Sequence, residues 1–387
     1  HCRRQGQGKN KQIIINPGDT HMNLHSQQQK TWAEWTMTPE QPLIIAGPCS
    51  AESEDQVMAI AIDLCKSGHA SIYRAGVWKP RTRPGGFDGM GKIALEWLVN
   101  MREATGMPFM IEVASKEHVE AAINAGVDAI WIGARTTVNP FYVQDIAQAI
   151  QGHDIPVMVK NPIHADVGLW LGAIERLEKV GCTQIAAVHR GFFDSHSAPY
   201  RNDPKWEISF ELRRLAPDLP IICDPSHIAG KRSLVSQVAQ TAMDVGMDGL
   251  MVEVHSDPDH ALSDAAQQLT PSTFHHMIQS ITDERHRIQR DVEPMIGDQR
   301  KALDKVDEAM VKLMRERMAI VDELSQIKAE HGAGIFQMDR WFDILAKRGD
   351  QAVQLGLDKA YIKALFQTVH KYSVEHQTKV YQSKRKG

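Results

Sequence analysis

Eight residues able to bind a metal or an anion, Cys49, Arg74, Glu112, Arg135, Lys160, Arg190, His227 and Glu253, stand at or just past the ends of eight short apolar runs. Gathered in one place, a thiol, an imidazole, carboxylates and several cations would hold a divalent metal together with a ligand carrying several anionic groups. Singly they say less. Cys49, in Gly47-Pro48-Cys49-Ser50, reads on its own as a buried structural cysteine, and a strand-end arginine usually makes a surface salt bridge. Three further donors shift the balance for the cysteine: His227 in Asp224-Pro225-Ser226-His227, Glu253 in Val252-Glu253-Val254-His255, and Asp264 in Leu262-Ser263-Asp264. Mixed sulfur, nitrogen and oxygen donors suit Mn, Fe, Co or Zn rather than Mg or Ca. Arg74, Lys79, Arg135, Lys160 and Arg190, with Arg81 as a sixth cation, would repel one another unless an anion is expected among them.

The elements that must position these groups follow from hydropathy. Strands are expected at 43–48, 71–77, 109–114, 129–133, 156–160, 184–189, 220–224 and 249–254, with amphipathic helices between them, such as Gln56–Lys66, Lys116–Ala125, Gly168–Val180 and Arg232–Val245. That alternation predicts an α/β fold, a (β/α)8 TIM barrel, whose active site forms a cup at the C-terminal strand ends. A barrel is expected over 39–282. The 387 residues allow a second domain, and a net charge of -4 gives no electrostatic case for nucleic acid. No apolar stretch reaches the roughly 18 residues that span a membrane. Five irregularly spaced cysteines argue against a disulfide framework. Residues 1–38 read as a polar leader, part of it appended or upstream of a start at Met22, without the apolar core of a signal peptide; a cytoplasmic location is therefore expected.

After a polar linker, expected at 283–296, residues 297–387 lack strand signals and read as three helices, the first a single helix to Glu330. On composition this all-α segment could be a helical regulatory or dimerisation module without catalysis. Its charges favour a site. Arg317 and Lys328 are eleven residues apart, close to three turns, and share a face. Arg300 lies seventeen residues before Arg317, about 25 Å away along the axis, and could join that site only from a second chain. Ser373 and Gln377 form an i,i+4 pair on the last helix.

The motifs Gly-Pro-Cys-Ser, Lys79-Pro80-Arg81-Thr82, Gly133-Ala134-Arg135-Thr136, Asp-Pro-Ser-His and Val-Glu-Val-His resemble, in order, those of the type Iβ 3-deoxy-D-arabino-heptulosonate-7-phosphate (DAHP) synthases. The resemblance covers about Gln41 to Leu269. It implies one divalent metal per barrel, manganese first with cobalt, iron or zinc as alternatives, held by Cys49, His227, Glu253 and Asp264. It also implies phosphoenolpyruvate held by Arg74, Lys79, Arg135, Lys160 and Arg190, with Glu112, Gly133 and Ala134 beside it. Erythrose 4-phosphate would be received by Lys79, Pro80, Arg81 and Thr82, and Lys79 and Lys160 would be catalytic. The sister family that uses arabinose 5-phosphate carries Lys-Ala-Asn-Arg-Ser in place of Lys79-Pro80-Arg81-Thr82, so the shorter sugar is expected.

The helical segment resembles the all-helical chorismate mutases, which form intertwined dimers. That implies Arg300 acting in trans and Arg317, Lys328, Arg340, Ser373 and Gln377 in cis on chorismate. One position departs from the family: Trp341 stands where an acidic residue contacts the substrate hydroxyl. A bifunctional shikimate-pathway homodimer is thus expected. The short leader leaves no room for a separate N-terminal regulatory domain, so feedback by prephenate or chorismate is expected to act through the helical domain.

Overall fold

The computed structural model describes residues 42–79, 85–195, 198–288 and 293–386, with the side chains of 282–295 and 384–386 excepted. The chain separates into two compact units, with the division between His286 and Arg287. In the first unit β1 (Leu43–Gly47), β2 (Ile72–Ala75), β3 (Phe109–Val113), β4 (Ala129–Ile132), β5 (Val157–Lys160), β6 (Ile185–His189), β7 (Ile221–Cys223) and β8 (Gly249–Glu253) alternate with helices. Those helices are α1 (Glu54–Ser67), α2 (Lys92–Thr105), α3 (Lys116–Asn124), α4 (Ala134–Thr137), α5 (Pro140–Ile150), α6 (Val167–Lys179), α7 (Trp206–Leu215), α8 (Pro225–Ala229), α9 (Arg232–Asp244) and α10 (Pro271–Ile288). Every strand runs parallel to its neighbours, and β1 pairs with both β2 and β8 to close the barrel expected from the sequence.

The strands are apolar on both faces because helices cover the outside and side chains fill the inside. Alternation assigns the faces. Ile44, Ala46, Ile130, Val157, Val159, Leu250 and Val252 pack outward against the helices, in one continuous core. Leu43, Ile45, Ile72, Met110, Trp131, Met158, Val188, Ile222 and Met251 fill the interior. Because side chains alternate with period two, the next inward position after each of these interior residues is fixed. It is occupied by Arg74 after Ile72, Glu112 after Met110, Lys160 after Met158, Arg190 after Val188, Asp224 after Ile222 and Glu253 after Met251. The apolar plug thus gives way to charged side chains at the C-terminal ends of the strands.

Caps fix where the flanking helices start. Ser53, Ser115, Asn139 and Asp166 accept hydrogen bonds from the first-turn amides of α1, α3, α5 and α6, each cap worth about 1 kcal/mol. At the top of β1, Gly47 has φ 151°, and a Cβ there would run into the Arg74 backbone carbonyl. Glycine lets β1 and β2 approach closely enough for Cys49 to turn back over the barrel mouth.

The second unit comprises α11 (Glu293–Glu330), α12 (Met338–Gln354) and α13 (Lys359–Lys386), with α13 packed on both others. Both flanks of the stretch expected as a linker, up to Ile288 and from Glu293, are helical, and only 289–292 fall outside the described residues. Leu303, Val306, Met310, Leu313, Ile320 and Ile327 on α11 are exposed. Among the described residues no helix is long and apolar enough to cross a membrane.

Candidate active sites

Above the apolar plug lies a cavity of about 160 Å³, lined by Cys49, Lys79, Glu112, Gly133, Ala134, Arg135, Lys160, Arg190, Arg201, His227 and Asp264. Five of these side chains are cations, against two carboxylates and a thiol. Gly133 matters here for its missing side chain: a Cβ would overlap the Glu112 carboxylate, so glycine is what lets Glu112 reach the cavity.

Donor atoms of Cys49, Glu253 and Asp264 lie within 4.8 Å of one another. Nε2 of His227 faces the same group, 3.9 Å from Glu253 Oε1 and 3.8 Å from Asp264 Oδ2, while its Nδ1 lies 2.8 Å from Asp224 Oδ2. Asp224 caps α8 by accepting from the His227 amide, which places His227 in the first turn of that helix. With a carboxylate beside its far nitrogen, His227 turns Nε2 toward the other donors. Burial, with Glu253 and Asp264 alongside, pushes the Cys49 thiol up to about 12, against the opposing pull of Lys79. Two carboxylates and a protonated thiol thus direct three donor atoms toward one point. The donor set therefore fits a divalent metal, whose binding would displace the thiol proton.

A network of buried polar bonds holds the donors. Gln267, 1% exposed, donates to Glu253 Oε2 at 2.7 Å and accepts from Arg201 Nη1 at 2.8 Å. The same Nη1 lies 3.0 Å from Asp264 Oδ1. Burial alone would raise the Asp264 carboxyl, but His227 and Arg201 outweigh it and hold the group low. Asp224 is buried too, and His227 and Lys160 together keep it well below the usual range. Lys160 Nζ meets Asp224 Oδ2 at 2.7 Å, so one carboxylate positions both a metal donor and a cavity cation. Arg190 donates to Asn202 at 2.9 Å, and burial lowers its guanidinium to about 10, with Arg201 and Arg135 adding repulsion. Lys79 Nζ stands 3.1 Å from Cys49 Sγ.

Arg74 is placed differently from the other cations. It is 1% exposed and is not among the residues lining the cavity. Its guanidinium sits 4.8 Å over the Trp131 ring, 3.2 Å from Glu253 Oε1 and 3.3 Å from the Cys49 carbonyl. Pro80, Arg81 and Thr82 lie outside the described residues. Sequence reasoning missed Arg201, Asp224 and Gln267. Inward parity after Ile222 would have found Asp224; Arg201 and Gln267 sit on loops, where no periodicity points.

In the helical unit Arg317 Nη1 donates to Ser373 Oγ at 2.6 Å, and Lys328 Nζ to the Ile335 carbonyl at 2.9 Å. Lys328, Ser373 and Gln377 are buried, and Gln377 Oε1 has no hydrogen-bond partner among the described residues. Arg317 is lowered by burial. Arg340 points elsewhere, exposed and 3.1 Å from Asp343. Arg300 is exposed on α11. Trp341 stacks on His370, with ring centres 4.1 Å apart, and neither ring was expected in a site role.

Residues 30–290 match the model of the DAHP synthetase I family. The chain belongs to the DAHP synthetase I family. Residues 299–378 match chorismate mutase type II, so this family member carries both a DAHP synthase barrel and a chorismate mutase domain. It is 34% identical to the phospho-2-dehydro-3-deoxyheptonate aldolase of Thermotoga maritima over 62% of this chain and 68% of that protein. It is 28% identical to the 2-dehydro-3-deoxyphosphooctonate aldolase of Syntrophotalea carbinolica over 58% of this chain and 84% of that one. A crystal structure of the Thermotoga maritima enzyme superposes with a TM-score of 0.58 at 31% identity, covering 64% of this chain and 70% of that chain. A truncated form of DAHP synthase from the same organism gives 0.56 at 29%, covering 64% and 87%.

Proposed function

We propose that the barrel condenses phosphoenolpyruvate with erythrose 4-phosphate to DAHP and phosphate. The observation that carries this reading is the presence of five cations and a thiol–carboxylate–imidazole donor set in one cavity. Cys49, His227, Glu253 and Asp264 would hold a divalent ion, manganese first among Mn, Co, Fe and Zn. When bound, such an ion supplies Lewis acidity toward an aldehyde oxygen. Lys79, Arg135, Lys160 and Arg190, joined by Arg201, bind phosphate and carboxylate oxygens and bring the two anionic substrates together at low electrostatic cost. Arg74 also holds phosphoenolpyruvate, and its Nη1 is bonded to Glu253. The enol carbon of phosphoenolpyruvate bonds to the aldehyde carbon, water adds at the oxygen-bearing carbon, and phosphate leaves with its bridging oxygen. Glu112, which faces the cavity, takes the proton of that water. Phosphoenolpyruvate loss should require a divalent ion and run faster with erythrose 4-phosphate than with arabinose 5-phosphate. Full activity in a metal-free sample, or the opposite sugar preference, would overturn this assignment.

We infer that the helical domain converts chorismate to prephenate in a homodimer. Arg317, Lys328, Arg340, Ser373 and Gln377 come from one chain and Arg300 from a second. The cations hold the carboxylates of a compact conformer, and Lys328 with Gln377 binds the breaking ether oxygen; no covalent step is needed. The exposed apolar face of α11 supports a second copy as its cover. Prephenate is proposed to inhibit the synthase from this domain, which requires it to prefer one arrangement of the enzyme over another. Arg317→Ala should abolish that inhibition and spare the synthase rate. Unchanged synthase rates at saturating prephenate, with binding confirmed by calorimetry, would rule it out. Both activities fit a cytoplasmic enzyme.

A further inference from the structure

On α13, His370, Ser373 and Gln377 fall at i, i+3 and i+7 and so share one helix face. Ser373 is tied to Arg317. The His370 ring lies flat on Trp341, 4.1 Å away and 15° from parallel, and Phe336 approaches at 5.6 Å and 58°. Two aromatic neighbours fix the ring plane and therefore the direction of its edge. That edge carries Nε2, which is buried and meets no hydrogen-bond partner among the described residues. Gln377 Oε1 is in the same condition. Buried polar atoms without partners are costly, and two of them on one helix face beside two cations mark where ligand polar groups belong.

The charges decide what kind of group His370 meets. Burial, then Arg317 and Lys328 of α11, lower its pKa, while the groups packed on it from the preceding turn and from α12, Phe336 and Trp341, are uncharged. Near neutral pH the ring is a neutral imidazole, with one N–H and one lone pair. It does not compete with Arg317 and Lys328 for carboxylates. A hydroxyl both donates and accepts, so it satisfies Nε2 in either tautomer.

We propose that His370 binds the hydroxyl of the dicarboxylate held in the helical site, and thereby makes that site selective for a hydroxylated ligand. The proposal rests on the mutase reading above. It gives Trp341 a role as the platform that orients this imidazole.

The test compares chorismate with its analogue lacking the ring hydroxyl, on the full-length chain, by mutase kcat/KM and by calorimetric binding. Wild type should favour chorismate. His370→Leu should lose roughly tenfold in kcat/KM for chorismate and leave the deoxy analogue unchanged, which also shows that the variant folds. His370→Gln, which keeps a hydrogen-bonding edge, should recover most of the loss. Equal losses on both ligands would mean a structural role and overturn the proposal, as would no loss on either. Failure of wild type to bind or turn over either compound would instead overturn the mutase reading itself.

Discussion

Among the described residues the barrel gathers most of its candidate site residues around one cavity, whereas the helical domain leaves two of its own, Arg340 and Arg300, exposed. In the barrel Gln267 donates to Glu253, Arg201 donates to Asp264, and Asp224 Oδ2 lies 2.8 Å from His227 Nδ1. In the helical domain Gln377 Oε1 and His370 Nε2 have no hydrogen-bond partner among the described residues, Arg340 points at Asp343, Arg300 is exposed, and apolar side chains along α11 are exposed. A closed barrel buries its polar layer above a plug of its own side chains; three helices cannot enclose a site without a further wall. The synthase should therefore be a property of the single chain, and the mutase a property of the pair.

The largest effect separating the two regions should come from Cys49→Ala. Bound metal should be lost on elemental analysis, and the synthase rate should fall by at least about 10³-fold, while prephenate formation stays at the wild-type level. A matched fall in both activities would show that the regions are not energetically separate.

Chain sharing gives the next effect. Arg300→Ala and Lys328→Ala should each lower mutase activity by about 10²- to 10³-fold. When the two are unfolded and refolded together, half of the dimers are mixed, and each mixed dimer has one site free of both substitutions. Roughly a quarter of wild-type mutase activity should return, and synthase activity should not change at any stage. Absence of recovery, with mixed dimers demonstrated by mass, would place each mutase site within one chain.

A smaller effect tests the support shell of the barrel. Gln267→Leu keeps the volume but removes both bonds that link Glu253 to Arg201. Metal affinity, read by competition with a chelator, should weaken by about 10- to 100-fold. Unaltered affinity would mean that Arg74 and the strand alone hold Glu253.

These contrasts also explain what the sequence could reveal. Strand spans were legible to within a residue or two, because each apolar run is bounded by glycine, proline or a charge, and the closed barrel adds no exceptions to the alternation. Charged residues at the strand ends were legible for the same reason. Periodicity tells that Arg74 points inward, but its neighbours require the barrel: paired with Met110 in the β2–β3 register, it meets Trp131 and Glu253. Arg201 and Gln267 come from loops whose course depends on tertiary contacts. His370 was invisible because an imidazole among apolar and cationic neighbours is usually core, and only the structure shows its unpartnered nitrogen.

His189 separates the regions by pH. It follows the outward parity of β6, away from the cavity, and packs against Trp170, Phe192 and Trp206. Burial first, and then the adjacent Arg190 guanidinium, lower its pKa to about 3. In the unfolded chain the same group takes a proton near pH 6.5. Above that pH both states are neutral and His189 adds no pH dependence to stability. As pH falls from 6.5 toward 3 the unfolded state alone gains the proton, so barrel stability should drop by about 1.4 kcal/mol for each pH unit. His370 is also lowered, but it is only partly buried, so the helical domain should respond less. Urea unfolding followed by tryptophan fluorescence between pH 7.5 and 5 should show the slope in wild type, and His189→Leu should flatten it by that amount. An unchanged slope in His189→Leu would mean that another buried group accounts for the acid sensitivity of the barrel.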